Sequence, residues 1–249
     1  SGRKNVKQIQ AGLNVTRDGG VPVGHLPLHG NAAESKTHID NLRHLGRILP
    51  KGKLLYIADT KLDSPENLLA VAARKGHFLC GGAFYPHLQE EYLKLRRKLH
   101  RVNYFPQSQA HLPPQERDEY WAIEVPETIE GTVDGRTVRL KCRKYFVWSE
   151  AKARQEAATR ERHVAKIAEE FEAVERNLGK YSLKTEEAIT RRLEKAKAKY
   201  VEGELFDYHL TKSRQGAFRL TWKLNAKALQ RRKHLEGVFV LKTDLPKRT

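Results

Sequence analysis

Residues 53–58 hold the apolar run Leu54-Leu55-Tyr56-Ile57-Ala58, nearly continuous and stopped by Asp59. Such a run is expected of a short β-strand covered on both faces. It constrains the fold because helical patterns flank it on both sides. Upstream, Ile39, Leu42, Leu45, Ile48 and Leu49 fall at helical spacing over residues 37–49, and Pro50 ends them. Downstream, Ser64 suits a helix cap and Pro65 a first helical position, with Leu68, Leu69, Val71 and Ala72 carrying the helix toward Gly76. A further strand is expected to begin over residues 77–80. Before all of these, the runs 8–14 and 21–28 flank Thr16-Arg17-Asp18-Gly19-Gly20, whose Asp and Gly residues supply hairpin geometry. Pro22 and Pro27 push the second run toward a sheet edge or an early stop. Hairpin, helix, strand, helix and strand in this order predict an α/β fold.

The second half changes character. Residues 120–125 and 128–145, the latter broken at Asp134-Gly135, predict short antiparallel strands. A long helix is expected over 149–178, with Val164, Ile167, Phe171, Val174 and Leu178 near heptad spacing, and another over 185–200 through Ile189, Leu193, Ala196 and Tyr200. Together they suggest a helical hairpin, either a solvated arm or a coiled coil for a partner. Strands return over 204–210, 217–223 and 238–241, with a helix over 225–235.

With 47 Lys+Arg against 30 Asp+Glu, the formal charge is +17, and the excess is clustered. Lys94, Arg96, Arg97, Lys98 and Arg101 form one knot, and residues 212–233 carry eight basic side chains with no acidic one. A polyanion, DNA or RNA, is the expected partner. Candidate contacts are Lys94, Arg96, Arg97, Lys98, Arg214, Arg219, Lys223, Arg231, Arg232 and Lys233. Phe218 and Trp222 lie between Arg214, Arg219 and Lys223, either interleaved for nucleic-acid contact or, with Leu220, forming the inward face of a strand. The basic runs lack the wide apolar face of a membrane-surface helix. No apolar stretch approaches a membrane span and no signal peptide is evident, so a soluble, intracellular protein is expected. Cys80 and Cys142 form no Cys-x-x-Cys pair and read as small buried hydrophobes. Methionine is absent, as in a fragment of a longer product.

Neither familiar phosphate-cradling loop occurs, and there is no His-Glu-x-x-His or Gly-x-Ser-x-Gly. His25 and His29 read as surface or packing residues. Asp59 stands out, because the carboxyl end of a buried strand is where open α/β sheets place functional groups. The plainer alternative is a turn-forming or capping aspartate.

Gly12-Leu13-Asn14-Val15-Thr16, Asp18-Gly19-Gly20-Val21-Pro22-Val23 and Gly30-Asn31 before a helix resemble the second and third strands of insertion-sequence DDE transposases of the IS-four superfamily. Ile57-Ala58-Asp59 followed by Ser64-Pro65-Glu66-Asn67 resembles that family's second catalytic aspartate and the helix behind it. The block Glu236-Gly237-Val238-Phe239-Val240-Leu241-Lys242-Thr243 resembles the strand before its last catalytic helix. The four blocks, in order, span almost the whole chain.

The resemblance implies an RNase H-like core, a mixed sheet with flanking helices, interrupted by an α+β insertion containing the helical hairpin. Residues 1–84 would be the first part of the core, 85–235 the basic insertion, and 236–249 the core resuming. It implies cleavage and transfer of double-stranded DNA with two Mg²⁺ or Mn²⁺ ions, Asp59 being both catalytic and a metal ligand. A homodimer and a cytoplasmic, nucleoid-associated setting in a prokaryote would go with it. The family's first aspartate belongs on a strand before the hairpin and its glutamate on a helix after residue 243, so the triad is expected to be incomplete in this chain, and the polypeptide inactive alone. Thr60-Lys61 replace the basic residue and glycine of many relatives. A non-catalytic DNA-binding remnant or module is the alternative, and an RNA-associated structural protein a third reading.

Overall fold

The computed structural model describes residues 9–30, 34–49 and 54–247, so Gln8, Asn31, Pro50, Lys53 and Thr249, invoked above, lie outside the described residues. The hairpin pairs β1 (Ile9–Val15) with β2 (Pro22–His29), antiparallel, with Gly12 opposite Leu26. Its turn closes through Thr16 N–H to the Val21 carbonyl at 2.9 Å, and Gly19 and Gly20 take φ of 71° and 62° there. Helix α1 (Glu34–Ile48) follows, then β3 (Leu55–Ala58), α2 (Pro65–Ala73) and β4 (His77–Gly82). The Ser64 hydroxyl caps α2 by accepting from Asn67 N–H at 3.3 Å, with Pro65 just inside the helix.

Next come α3 (Pro86–Leu95), β5 (His100–Val102), β6 (Tyr120–Val133) and β7 (Arg136–Ser149). Strands β6 and β7 are 14 residues each, longer than the sequence suggests, because β6 runs through Pro126 without a break. Asp134 and Gly135, with φ of 48° and 75°, make the two-residue turn between them. Helices α4 (Glu150–Arg176) and α5 (Glu186–Lys197), strands β8 (Phe206–Lys212) and β9 (Phe218–Leu224), helix α6 (Ala226–Leu235) and β10 (Val238–Thr243) complete the order. Six strands form one sheet in the order β3-β4-β10-β7-β6-β5. It is mixed, since β3 and β4 are parallel while β10 and β4 are antiparallel. The fold is therefore mixed α/β, as the alternation of patterns predicts at that level.

The chain divides into two compact units, one of residues 1–100, 122–147 and 239–249, the other of 101–121 and 148–238. In the first unit Leu42 and Leu45 of α1, Leu68, Leu69 and Val71 of α2, Phe78 of β4 and Leu140 of β7 are buried in one core, each such side chain worth about 1.5–3 kcal/mol when fully buried. After β10, the Asp244 carboxylate accepts from Phe78 N–H at 2.8 Å and Thr243 Oγ1 donates to the Phe78 carbonyl at 2.7 Å, fixing the strand's end to β4.

Strand β3 corrects an expectation. It is buried on one face only, through Tyr56, while Leu55 and Ile57 are 37% and 57% exposed. Leu55 and Ile57 share the face opposite Tyr56, and no element among the described residues covers it enough to bury them.

In the second unit α4 and α5 do form a helical hairpin, capped by Ser149 and Thr185. It is not a solvated arm, because its apolar seam is closed over by the β8–β9 hairpin. Ile167, Phe171 and Val174 meet Ile189, Leu193 and Ala196, and Phe206 and Leu220 of the β8–β9 hairpin close the same core. Phe171 lies 5.3 Å from Phe206 and 5.7 Å from Trp222, ring centre to ring centre. An ion pair buried on both sides, Arg160 to Glu236 at 2.6 Å, ties α4 to the residue after α6. Among the described residues no helix is long and apolar enough to cross a membrane.

Candidate functional site

Asp59 leaves the carboxyl end of β3 and is exposed. Its Oδ1 accepts from Lys61 N–H at 2.9 Å, capping a single turn of 3₁₀ helix over Thr60–Leu62. The residue thus does the local work of a capping aspartate. It also lines a groove of 720 Å³ in the first unit. Residues of β1 and β3 line that groove, α1 contributes His38, Asn41 and Leu45, and Asp59 is the one carboxylate in the lining. Among the described residues β1 pairs only with β2 and β3 only with β4, so each keeps a main-chain edge without a strand partner.

Behind Asp59 runs a polar network that the sequence does not announce. Asn14 and Asn41 join amide to amide, each bond 2.8 Å, and the Asn41 amide also donates to the Tyr56 hydroxyl at 2.8 Å. His38 Nδ1 lies 3.1 Å from the same hydroxyl. Burial pushes the Tyr56 phenol above its ordinary pKa, opposed by the bond from Asn41, so Tyr56 stays a neutral hydroxyl. One signal was available: Asn41 sits beside Leu42 on a helix whose core positions Leu42 and Leu45 are apolar.

A second carboxylate nearby, Asp63, is already committed. Lys242 Nζ lies 2.9 Å from Asp63 and 3.3 Å from Glu127. Burial alone would lower the Lys242 ammonium, but its bonds to Asp63 and Glu127 and their charges hold its pKa above the ordinary value. Burial and the Asp63 charge push the Cys80 thiol up to about 12, and burial and the Glu127 charge push Cys142 up to about 11. Both cysteines are the buried apolar residues expected of them. Among the described residues no three His, Cys, Asp or Glu side chains converge as a metal cluster. One free carboxylate does not fit a pair of hard divalent ions, which need several oxygen ligands.

The structure places the basic candidates on each unit separately. In the first unit Lys94 ends α3, and Arg96, Arg97 and Lys98 form the 3₁₀ turn after it, with Lys94, Arg97 and Lys98 exposed and Arg96 half-buried. In the second unit Arg214, Arg219, Lys223 and Lys233 are exposed. Arg219 and Lys223 stand on the outer face of β9, opposite Thr211 and Asp207 of β8. Arg231 is half-buried and Arg232 lies 3.5 Å from the buried Glu202, so Arg232 is partly spent on the fold. Phe218, Leu220 and Trp222 face inward and pack in the second core, which settles their alternative in favour of the strand's apolar face. His25 and His29 are exposed on β2.

No model of a known protein family, no curated protein and no solved structure matches this chain.

Proposed function

We propose that the chain is the central and inserted portion of a DDE-type DNA transposase, with an RNase H-like core in its first unit. It binds the double-stranded DNA of transposon ends through its basic residues and contributes Asp59 to a Mg²⁺- or Mn²⁺-dependent site completed outside residues 1–249. The observation that carries this reading is the position of Asp59. It follows a strand parallel to its βαβ neighbour and lines a groove bordered by β1 and β3, each of which has one edge without a strand partner among the described residues. That groove suits an added strand bearing the first aspartate, since free main-chain donors and acceptors favour another strand. The order of hairpin, helix, strand, helix and strand is compatible with this reading, with β1 and β2 forming a two-stranded sheet of their own. Homodimer formation belongs to the same proposal.

A non-catalytic DNA-binding module is the second reading, favoured by Asp59 being alone in the groove and by Asp63 being bound to Lys242. A salt titration of duplex-DNA affinity tests both. For each phosphate neutralised, log K falls with log[salt] by about 0.9, so several Lys and Arg contacts give a steep line, and a flat one overturns both readings. Asp59→Asn is expected to leave binding unchanged. The chain alone with Mg²⁺ is expected not to nick DNA, and nicking that survives Asp59→Asn overturns the assignment of Asp59. Preference for RNA over duplex DNA in competition would favour an RNA-associated protein instead.

A further inference from the structure

We infer that the second unit carries a stacking platform for an unstacked nucleobase, built by Tyr104, Phe105 and Arg117. The inference rests on the nucleic-acid reading above, but names a site and a ligand form that reading does not contain. Residues 103–119 connect β5 to β6 and wall a groove of 480 Å³ with Arg101, Tyr104, Phe105 and Arg117 among its lining, within the roughly 300–1,000 Å³ of small-molecule sites.

Tyr104 and Phe105 are 55% and 37% exposed, although apolar rings are available to the core nearby. The loop does not leave them out by slackness. Arg117 Nε donates to the Leu112 carbonyl at 2.8 Å and its Nη2 to the Ala110 carbonyl at 3.2 Å. Asp118 N–H donates to the Gln109 side chain at 3.0 Å, and the Asp118 carboxylate is bonded by Gln109 and by Arg154.

The Arg117 guanidinium carbon lies 4.0 Å from the Phe105 ring centre. Tyr104 meets Tyr120 edge to face with ring centres 5.0 Å apart, which holds its ring upright. Two carboxylates also line the groove, but Glu119 is paired with Arg101 at 3.0 Å and bonded by the Trp121 indole at 3.2 Å, and Asp118 is engaged as above. What the groove offers a ligand is therefore the exposed Tyr104 ring beside the Arg117–Phe105 stack, aromatic surface of the kind on which single-stranded bases stack irrespective of sequence.

The test compares binding of a single-stranded oligothymidylate and of a duplex of equal length by the full chain and its variants. Tyr104→Ala is expected to weaken single-strand binding roughly 5- to 100-fold, the range for losing one base–aromatic stack. Duplex affinity and the salt slope should stay as they were. Tyr104→Phe should keep single-strand affinity and Tyr104→Leu should lose it, which separates the aromatic face from mere bulk. If the chain binds both DNAs and Tyr104→Ala changes neither, or weakens both equally with Tyr104→Leu unaffected, the platform is refuted while the DNA reading stands. If neither DNA binds, the DNA reading fails and the platform with it. Tight binding of a polyproline peptide in the groove, without single-strand binding, would also overturn the proposal.

Discussion

Lys242 is the residue on which the interior of the first unit most depends electrostatically. It compensates Asp63, which is 8% exposed, and reaches Glu127 as well. Removing one partner of such a buried pair leaves a charge stranded and costs about 3–5 kcal/mol. Lys242→Ala should show that loss in urea unfolding, and Asp63→Asn in the same chain should recover part of it, as coupled neighbours do. The same interior fixes an alkaline limit. Lys242, Cys80 and Cys142 all have raised pKa values in the fold. Their contribution is complete below the unfolded values and is lost as pH rises through the folded ones. The urea midpoint should therefore fall from about pH 9 upward, where unfolded thiols begin to ionise. Neither thiol should react with a disulfide reagent at pH 8 before unfolding. The burial of the two thiols was legible in the sequence, but the ion pair was not, since Asp63 and Lys242 are far apart in it and both look like surface residues.

At the scale of elements, most of what the sequence announced came from local chemistry. The Thr16–Val21 turn, the Ser64-Pro65 start of α2 and the Asp134-Gly135 turn are each written in a few adjacent residues. What was illegible depends on distant partners. Strand β3 has the composition of a strand covered on both faces and is covered on one, because coverage is decided by what distant segments pack on each face. Strand β6 passes Pro126 without a break, where the residue type alone suggests a stop. Residues 103–119 have no periodicity, so the platform of Tyr104 and Phe105 emerges only once the loop's hydrogen bonds are seen. One junction depends on a single glycine. Gly237 has φ of 84°, its carbonyl accepts from Ser149 N–H, and a Cβ there would lie 2.7 Å from Ala153 Cβ and 2.8 Å from the Ser149 carbonyl oxygen. Gly237→Ala should destabilise by about 1–3 kcal/mol from the backbone conformation alone, with the clash adding to it, measurable as a lowered midpoint of urea unfolding.

For the whole molecule, the net charge of +17 is the property that sequence and structure treat most differently. The sequence shows two basic clusters without saying which side chains stay free. The structure spends Arg232 near Glu202, turns Phe218 and Trp222 inward, and leaves Arg214, Arg219, Lys223 and Lys233 exposed on the second unit. Asp59 was legible as an aspartate ending a strand. The Asn14, Asn41, Tyr56 and His38 network behind it was not, because its members come from three separated elements.

The most direct test of the account is the salt dependence of duplex-DNA binding by the full chain and by a variant with Arg214, Arg219 and Lys223 all changed to Ala. The account predicts a steep log–log slope for the full chain, made shallower in the variant by up to about 2.7, at about 0.9 for each of the three contacts. A steep slope that the three changes leave intact would contradict the assignment of these residues, and a flat slope in the unaltered chain would contradict the claim that this protein binds DNA.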